Sequence, residues 1–162
     1  MRFATRRHSE PGVCRRAKTA LKIAVEVNQI VIPAKDKRAA AGLLAYILGL
    51  EVEGVSSRFV RIRKGDGLTL DFSEPTAWHG LLQCAFLVSR AEFDDVLSRL
   101  NRGGINFYAA FDGKGRGEIN RLHDGRGIYF DDPDGHLFEL IERLEASAPD
   151  SRIKAVAIKL TT

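Results

Sequence analysis

Residues Tyr129–Glu142 read "YFDDPDGHLFELIE", and the handover there from a tight acidic turn to an apolar strand decides how the chain folds. Asp132-Pro133-Asp134-Gly135 has turn chemistry: Pro presets φ at the second turn position and Gly suits the fourth. From His136 onward the pattern alternates. Leu137, Glu139 and Ile141 share one strand face, and Phe138 and Leu140 share the other. A carboxylate flanked by Leu and Ile on its own face has to be solvated, paired or bound to a metal. Glu139 is the first candidate functional residue.

Two earlier segments follow one grammar. Val25–Pro33 is a β-branched strand, Asp36 a helix cap, and Ala40, Leu43, Leu44, Ile47 and Leu48 keep the spacing of one helical face before Gly49 stops it. Leu81–Val88 is a second strand, Ser89 and Glu92 form a capping box, and Phe93, Val96, Leu97 and Leu100 line one face before Gly103-Gly104. After the first helix come strands at Glu51–Val55, Arg58–Arg63 and Leu68–Phe72, the last two joined by a Gly65-Asp66-Gly67 hairpin turn. After the second come Asn106–Ala109, a long loop, Gly127–Phe130 and His136–Ile141. Each unit reads β-α-β-β-β, with Gln29 and Gln83 at equivalent points. One such unit has an open sheet; two side by side bury both.

The predicted fold is therefore α+β: two tandem β-α-β-β-β modules, at 25–73 and 81–143, forming a curled mixed sheet around a cleft with the helices outside. Residues 1–22 form a basic extension, 23–143 the domain, and 144–162 a tail in which "RIKAVAIKLTT" alternates well enough for an edge strand. The extension holds seven Lys or Arg against Glu10, whereas the remainder carries 18 basic against 20 acidic residues. A nucleic-acid arm or a transit-like peptide would carry such charge; the adopted reading is a loosely packed extension without a nucleic-acid role. No apolar stretch approaches the roughly 20 residues that span a bilayer. Two cysteines, Cys14 and Cys84, make no disulfide framework, so a reducing, cytoplasmic setting is expected.

A doubled unit ending in "DPDGH-x-x-E" resembles the vicinal oxygen chelate superfamily, which includes glyoxalase I, extradiol dioxygenases, fosfomycin-modifying enzymes and bleomycin-binding resistance proteins. The resemblance runs over about residues 26–143. It is carried by "NQIVIPAKDKRAAAGLLAYILGL", "GLTLDF", "AFLVSRAEFDDVL" and "GRGIYFDDPDGHLFELI". It implies metal ligands on the first and last strand of each module, which maps onto Gln29, Gln83, Glu139 and, less directly, Asp71. Members with a working metal usually carry His on the first strands; this chain has Gln at both. A Gln–Gln–carboxylate set offers hard oxygen donors without imidazole, so at most a weakly held divalent ion is expected and no tightly bound cofactor.

Two readings stand for Gln29 and Gln83: satisfying a neighbouring polar group, or contacting a metal or substrate. Other candidate substrate contacts are Asp71, Tyr129, His123 and Arg126. The last three lie in or beside the five-glycine loop "AFDGKGRGEINRLHDGRG", which is either a lid or a surface excursion. The expected function is binding of a small molecule at a degenerate metal site, by a homodimer. The alternative is a divalent-metal-dependent lyase, isomerase or dioxygenase in which Glu139 is catalytic.

Overall fold

The structure, a computed structural model, describes residues 27–63, 67–77, 80–122 and 125–142 together with the backbone of 154–161. In chain order the elements are β1 (Gln29–Pro33), α1 (Lys37–Leu48), β2 (Glu51–Val55), β3 (Val60–Arg63), β4 (Thr69–Ser73), β5 (Leu81–Val88), α2 (Arg90–Arg102), β6 (Gly127–Asp131), β7 (Leu137–Glu142) and β8 (Lys154–Thr161). Both caps form as their side chains dictate. Asp36 accepts from the amides of Arg38 and Ala39, each at 2.9 Å, and Ser89 and Glu92 close a reciprocal box. Gly49 ends α1 at φ 67, a left-handed conformation that favours glycine, and the Arg99 guanidinium packs over it.

The modules make two four-stranded sheets, ordered β1-β4-β3-β2 and β6-β7-β5-β8. In each, the first strand pairs in parallel with the last, and the last pairs antiparallel with the one before it. β8 lies antiparallel along the free edge of β5. The other edge corrects the sequence reading: Asn106–Ala109 is no strand, and only Tyr108 pairs, by exchanging backbone hydrogen bonds of 2.8 and 2.9 Å with Tyr129. Beyond it the chain folds back on itself, Ala109 bonding Gly115 and Gly117 bonding Phe107, through three glycines at positive φ. The loop is thereby held by its own backbone. The Asn120 amide adds a bond to the Ala109 carbonyl at 2.8 Å.

One apolar core runs through both modules. Ile32, Ile62, Leu70 and Phe72 meet α1, while Phe86, Phe130, Phe138 and Leu140 meet Phe93, Val96 and Leu100 of α2. Cys84 is buried in it, its thiol pushed up to about 12 by that burial, so it is an inert core residue.

The Asp132–His136 turn ties the modules together. Asp132 Oδ1 accepts from the amides of Asp134 and His136 at 3.0 and 2.9 Å, and Asp134 accepts from the Lys35 amide at 3.1 Å. His136 is fully buried. Its Nδ1 accepts from the Leu82 amide at 2.9 Å, and its Nε2 lies 2.6 Å from the Pro33 carbonyl. An amide must donate and a carbonyl must accept, so the ring carries its proton on Nε2. One imidazole thus joins the end of β1 to the start of β5.

Removing that ring leaves a buried amide and a buried carbonyl unpaired. His136→Ala is therefore expected to cost about 3 kcal/mol, or roughly 6–12 °C of Tm at this chain length. Calorimetry showing a Tm within about 2 °C of wild type would refute the clasp.

Candidate functional site

Strand parity sorts the side chains. Ile30 and Ile32 of β1 enter the core, so Gln29 and Val31 lie on the face away from the helices. By the same count Thr69 and Asp71 of β4, Arg61 and Arg63 of β3, Gln83 and Ala85 of β5, Tyr129 of β6 and Glu139 of β7 occupy helix-distal faces. Register then pairs them. Val31 and Arg61 flank Asp71 on either side; Ala85 and Tyr129 flank Glu139 in the same way. Gln29 and Gln83 sit one pair further along their sheets, so the repeat seen in sequence is a repeat in space.

The two carboxylates have different partners. Asp71 is fully buried, receives Arg61 Nε on Oδ1 and Arg61 Nη2 on Oδ2 at 2.6 Å each, and accepts Gln29 Nε2 on Oδ2, also at 2.6 Å. The Arg61 hydrogen bonds hold the Asp71 carboxyl below the usual carboxylate range against its desolvation, with Gln29 assisting; the same pair raises Arg61. Glu139 is half-buried and accepts the Tyr129 hydroxyl on Oε1 at 2.7 Å. Burial, and then that hydrogen bond, push the Tyr129 phenol up to about 12. Glu139 Oε2 is not used by Tyr129, so the dyad can accept a further proton or donor.

The sequence-predicted residues fall into separate groups. Gln29 and Asp71 meet in the first sheet; Gln83, Tyr129 and Glu139 share a face of the second. Among the described residues no hydrogen bond joins one group to the other. Arg126, expected as a substrate contact, has its guanidinium engaged within the chain. It sits on the helix side, its Nε bonded to Glu142 and Nη1 to Asp94 at 2.7 Å each, with its guanidinium carbon 4.4 Å from the Phe93 ring centroid. Those contacts fasten α2 to β6 and β7. His123 lies outside the described residues. A surface cavity of about 210 Å³ at the C-terminal end of α2 is lined by Leu100, Ile105, Phe107 and Arg116 among others, and by none of Gln29, Asp71, Gln83, Tyr129 or Glu139.

Arg61 is the residue that the sequence reading missed. Its signal was a spacing: a hydrogen-bonding side chain stands ten residues before the carboxylate in both modules, Arg61 before Asp71 and Tyr129 before Glu139. The donor set does not fit a tightly held transition metal. Asp71 is neutralised by a guanidinium, Gln29 has given its amide N–H to Asp71, and imidazole is missing from both first strands. Among the described residues no three His, Cys, Asp or Glu side chains gather as metal ligands would.

Solved structures share this architecture. Oxidase ChaP-H2 is 36% identical, covers 75% of this chain and 96% of its own, and superposes with a TM-score of 0.69. A lactoylglutathione lyase from Agrobacterium tumefaciens (19% identity, 75% of this chain and 96% of that one, TM-score 0.56) shares the fold. So does the fosfomycin resistance protein FosX from Mesorhizobium loti (22%, 76% and 96%, TM-score 0.54). No family model matches the chain.

Asp71 keeps its charge to lower pH when folded than when unfolded, where the ordinary value is 3.8. Its contribution to stability is therefore complete above that value and is lost as pH falls below it. Asp71→Asn is expected to melt lower than wild type at neutral pH but to lose less Tm between about pH 5 and pH 2.5. Parallel Tm–pH curves for the two proteins would contradict the Arg61–Asp71 assignment.

Proposed function

The chain belongs to the vicinal oxygen chelate superfamily, and on that premise we propose that it is a small-molecule-binding protein whose metal site is degenerate. The observation that carries this is the bidentate Arg61–Asp71 pair, which occupies the first module's carboxylate with a guanidinium. Gln29, Gln83, Tyr129 and Glu139 are the groups that meet the ligand. They supply amide donors and acceptors, a phenol and one carboxylate: hydrogen-bonding chemistry suited to an oxygen-bearing molecule.

The 36% identical relatives named as oxidases favour a second reading, an enzyme that oxidises a small oxygen-bearing substrate. Glu139, steadied by Tyr129, would then take the substrate proton. Turnover separates the two: Glu139→Gln abolishes an enzyme's rate while leaving ligand affinity largely intact, whereas a binder has no rate to lose.

A homodimer is part of this proposal. The first sheet ends on β1, whose outer edge carries no strand among the described residues, and Val27 and Val31 beside it are each half-exposed. Such an edge invites a second copy. No helix among the described residues is long and apolar enough to cross a membrane.

Protein purified without chelator is expected to carry well under one equivalent of zinc, iron, manganese or nickel by elemental analysis. Gln29→His with Gln83→His is expected to raise zinc affinity at least about a hundredfold, because imidazole supplies the missing nitrogen ligands. Stoichiometric metal in the unmodified chain would overturn the degenerate-site reading. A double variant that stays blind to zinc would show that these positions do not converge with Glu139. Light scattering should give twice the 17.9 kDa chain mass at micromolar concentration; a strict monomer would refute the dimer.

A further inference from the structure

We propose that the cavity at the C-terminal end of α2 is a second ligand site, separate from the helix-distal faces of the sheets, and that it takes a compact carboxylate with one apolar ring. Arg116 receives the carboxylate, and Leu100, Ile105 and Phe107 receive the ring.

The cavity is made where the chain changes direction. α2 ends at Arg102, Gly104 turns at φ 62, and the Ile105 amide bonds back to the Leu100 carbonyl at 2.9 Å. The chain then passes Phe107 and returns, with Gly117 at φ 76 and its amide bonded to the Phe107 carbonyl at 2.8 Å. Main-chain hydrogen bonds therefore hold the walls, and the volume exists before a ligand arrives. A Cβ added at Gly104 or Gly117 would meet nothing within 4 Å, so these two lining residues leave the mouth uncovered. Leu100 is fully buried and Phe107 nearly so, which gives an apolar floor continuous with the core. The volume of about 210 Å³ exceeds the roughly 150 Å³ that holds a benzene ring, and leaves room for a carboxylate beside it.

Arg116 is the cation of the wall, and its setting differs from that of the other pinned arginines. Asn106 Oδ1 accepts from Arg116 Nε at 3.1 Å and from Nη2 at 2.6 Å. Arg61 and Arg126 are also pinned, but by carboxylates that cancel their charge. Asn106 is neutral, and among the described residues Arg116 makes no ion pair, so its guanidinium is oriented without being neutralised. Of the five N–H donors, both on Nη1 and the second on Nη2 remain for a ligand. Glu118, the nearest carboxylate in sequence, packs over Gly115, outside the lining. Arg102, in the last turn of α2 next to the lining residue Asn101, adds a second cation at this end. A staple for the loop needs only a hydrogen bond. A fixed, uncompensated cation beside an apolar floor is the arrangement that recognises an amphiphilic anion.

Benzoate and its neutral analogue benzamide are the probes. Both fit the volume, and a charge-assisted hydrogen bond favours benzoate about tenfold, at a Kd of about 1 mM for a ligand this small. Two-dimensional NMR titrations of the full chain should show saturable shifts at the Gly104, Ile105 and Gly117 amides, with the Gln29 and Gln83 side-chain amides stationary. Asn106→Asp keeps both hydrogen bonds and cancels the charge of Arg116. It should bring the benzoate-to-benzamide preference down to about one without lowering Tm. Arg116→Gln should do the same, and a retained circular dichroism spectrum shows that it folds. Equal affinities in the wild type, a preference that survives in Asn106→Asp, or shifts confined to Gln29 and Gln83 would each overturn the site. So would the absence of saturable shifts at the three backbone amides.

Discussion

The parallel pairing of the first strand with the last inside each module is the constraint on which the remaining arrangement depends. It sets Asp71 beside Val31 and Glu139 beside Ala85, and leaves Gln29 and Gln83 one pair away. Parallel strands need a crossover, which the helices α1 and α2 begin and the antiparallel strands complete. With the helices on one face, the other is free to carry polar side chains. The polar groups of both modules therefore lie at corresponding points, before any question of chemistry arises.

What fills those points differs, and the difference bears on function. In the first module a guanidinium holds the carboxylate; in the second a phenol does. A guanidinium competes with a metal cation for the same oxygens, whereas a phenol leaves the carboxylate its charge and a free oxygen. The repeat has thus diverged: one carboxylate is paired with a cation and the other with a neutral phenol. The neighbours, named as oxidases, a lactoylglutathione lyase and a fosfomycin resistance protein, show that this fold carries unlike activities, so the site rather than the fold has to identify the ligand.

Much of the architecture was legible in the chain because it is written in local signals. The Asp36 and Ser89 caps, the helical faces and the alternation around Glu139 each follow from neighbouring residues. The rest depends on contacts that neighbours do not announce. His136 meets Pro33 across 103 residues, and nothing near the "DPDGH" turn reveals that its ring joins two modules. Arg61 reads as one more exposed strand arginine until the β3–β4 register sets it against Asp71. Asn106–Ala109 reads as a strand on composition, but the glycines that follow turn the chain away after a single paired residue. Arg126 reads as a loop cation, and only the strand parity shows that it lies on the helix side against Glu142 and Asp94.

The central claim is that the Asp71 carboxylate belongs to Arg61 and is withheld from metal ions. Paramagnetic Mn²⁺ tests this most directly, because it broadens NMR signals only close to where it binds. With millimolar Mn²⁺ added, the Arg61 Nε–H and Gln29 amide signals should stay sharp and unshifted, as in its absence. Saturable broadening of both signals, with the Arg61 Nε–H exchanging rapidly as the guanidinium leaves Asp71, would contradict the account.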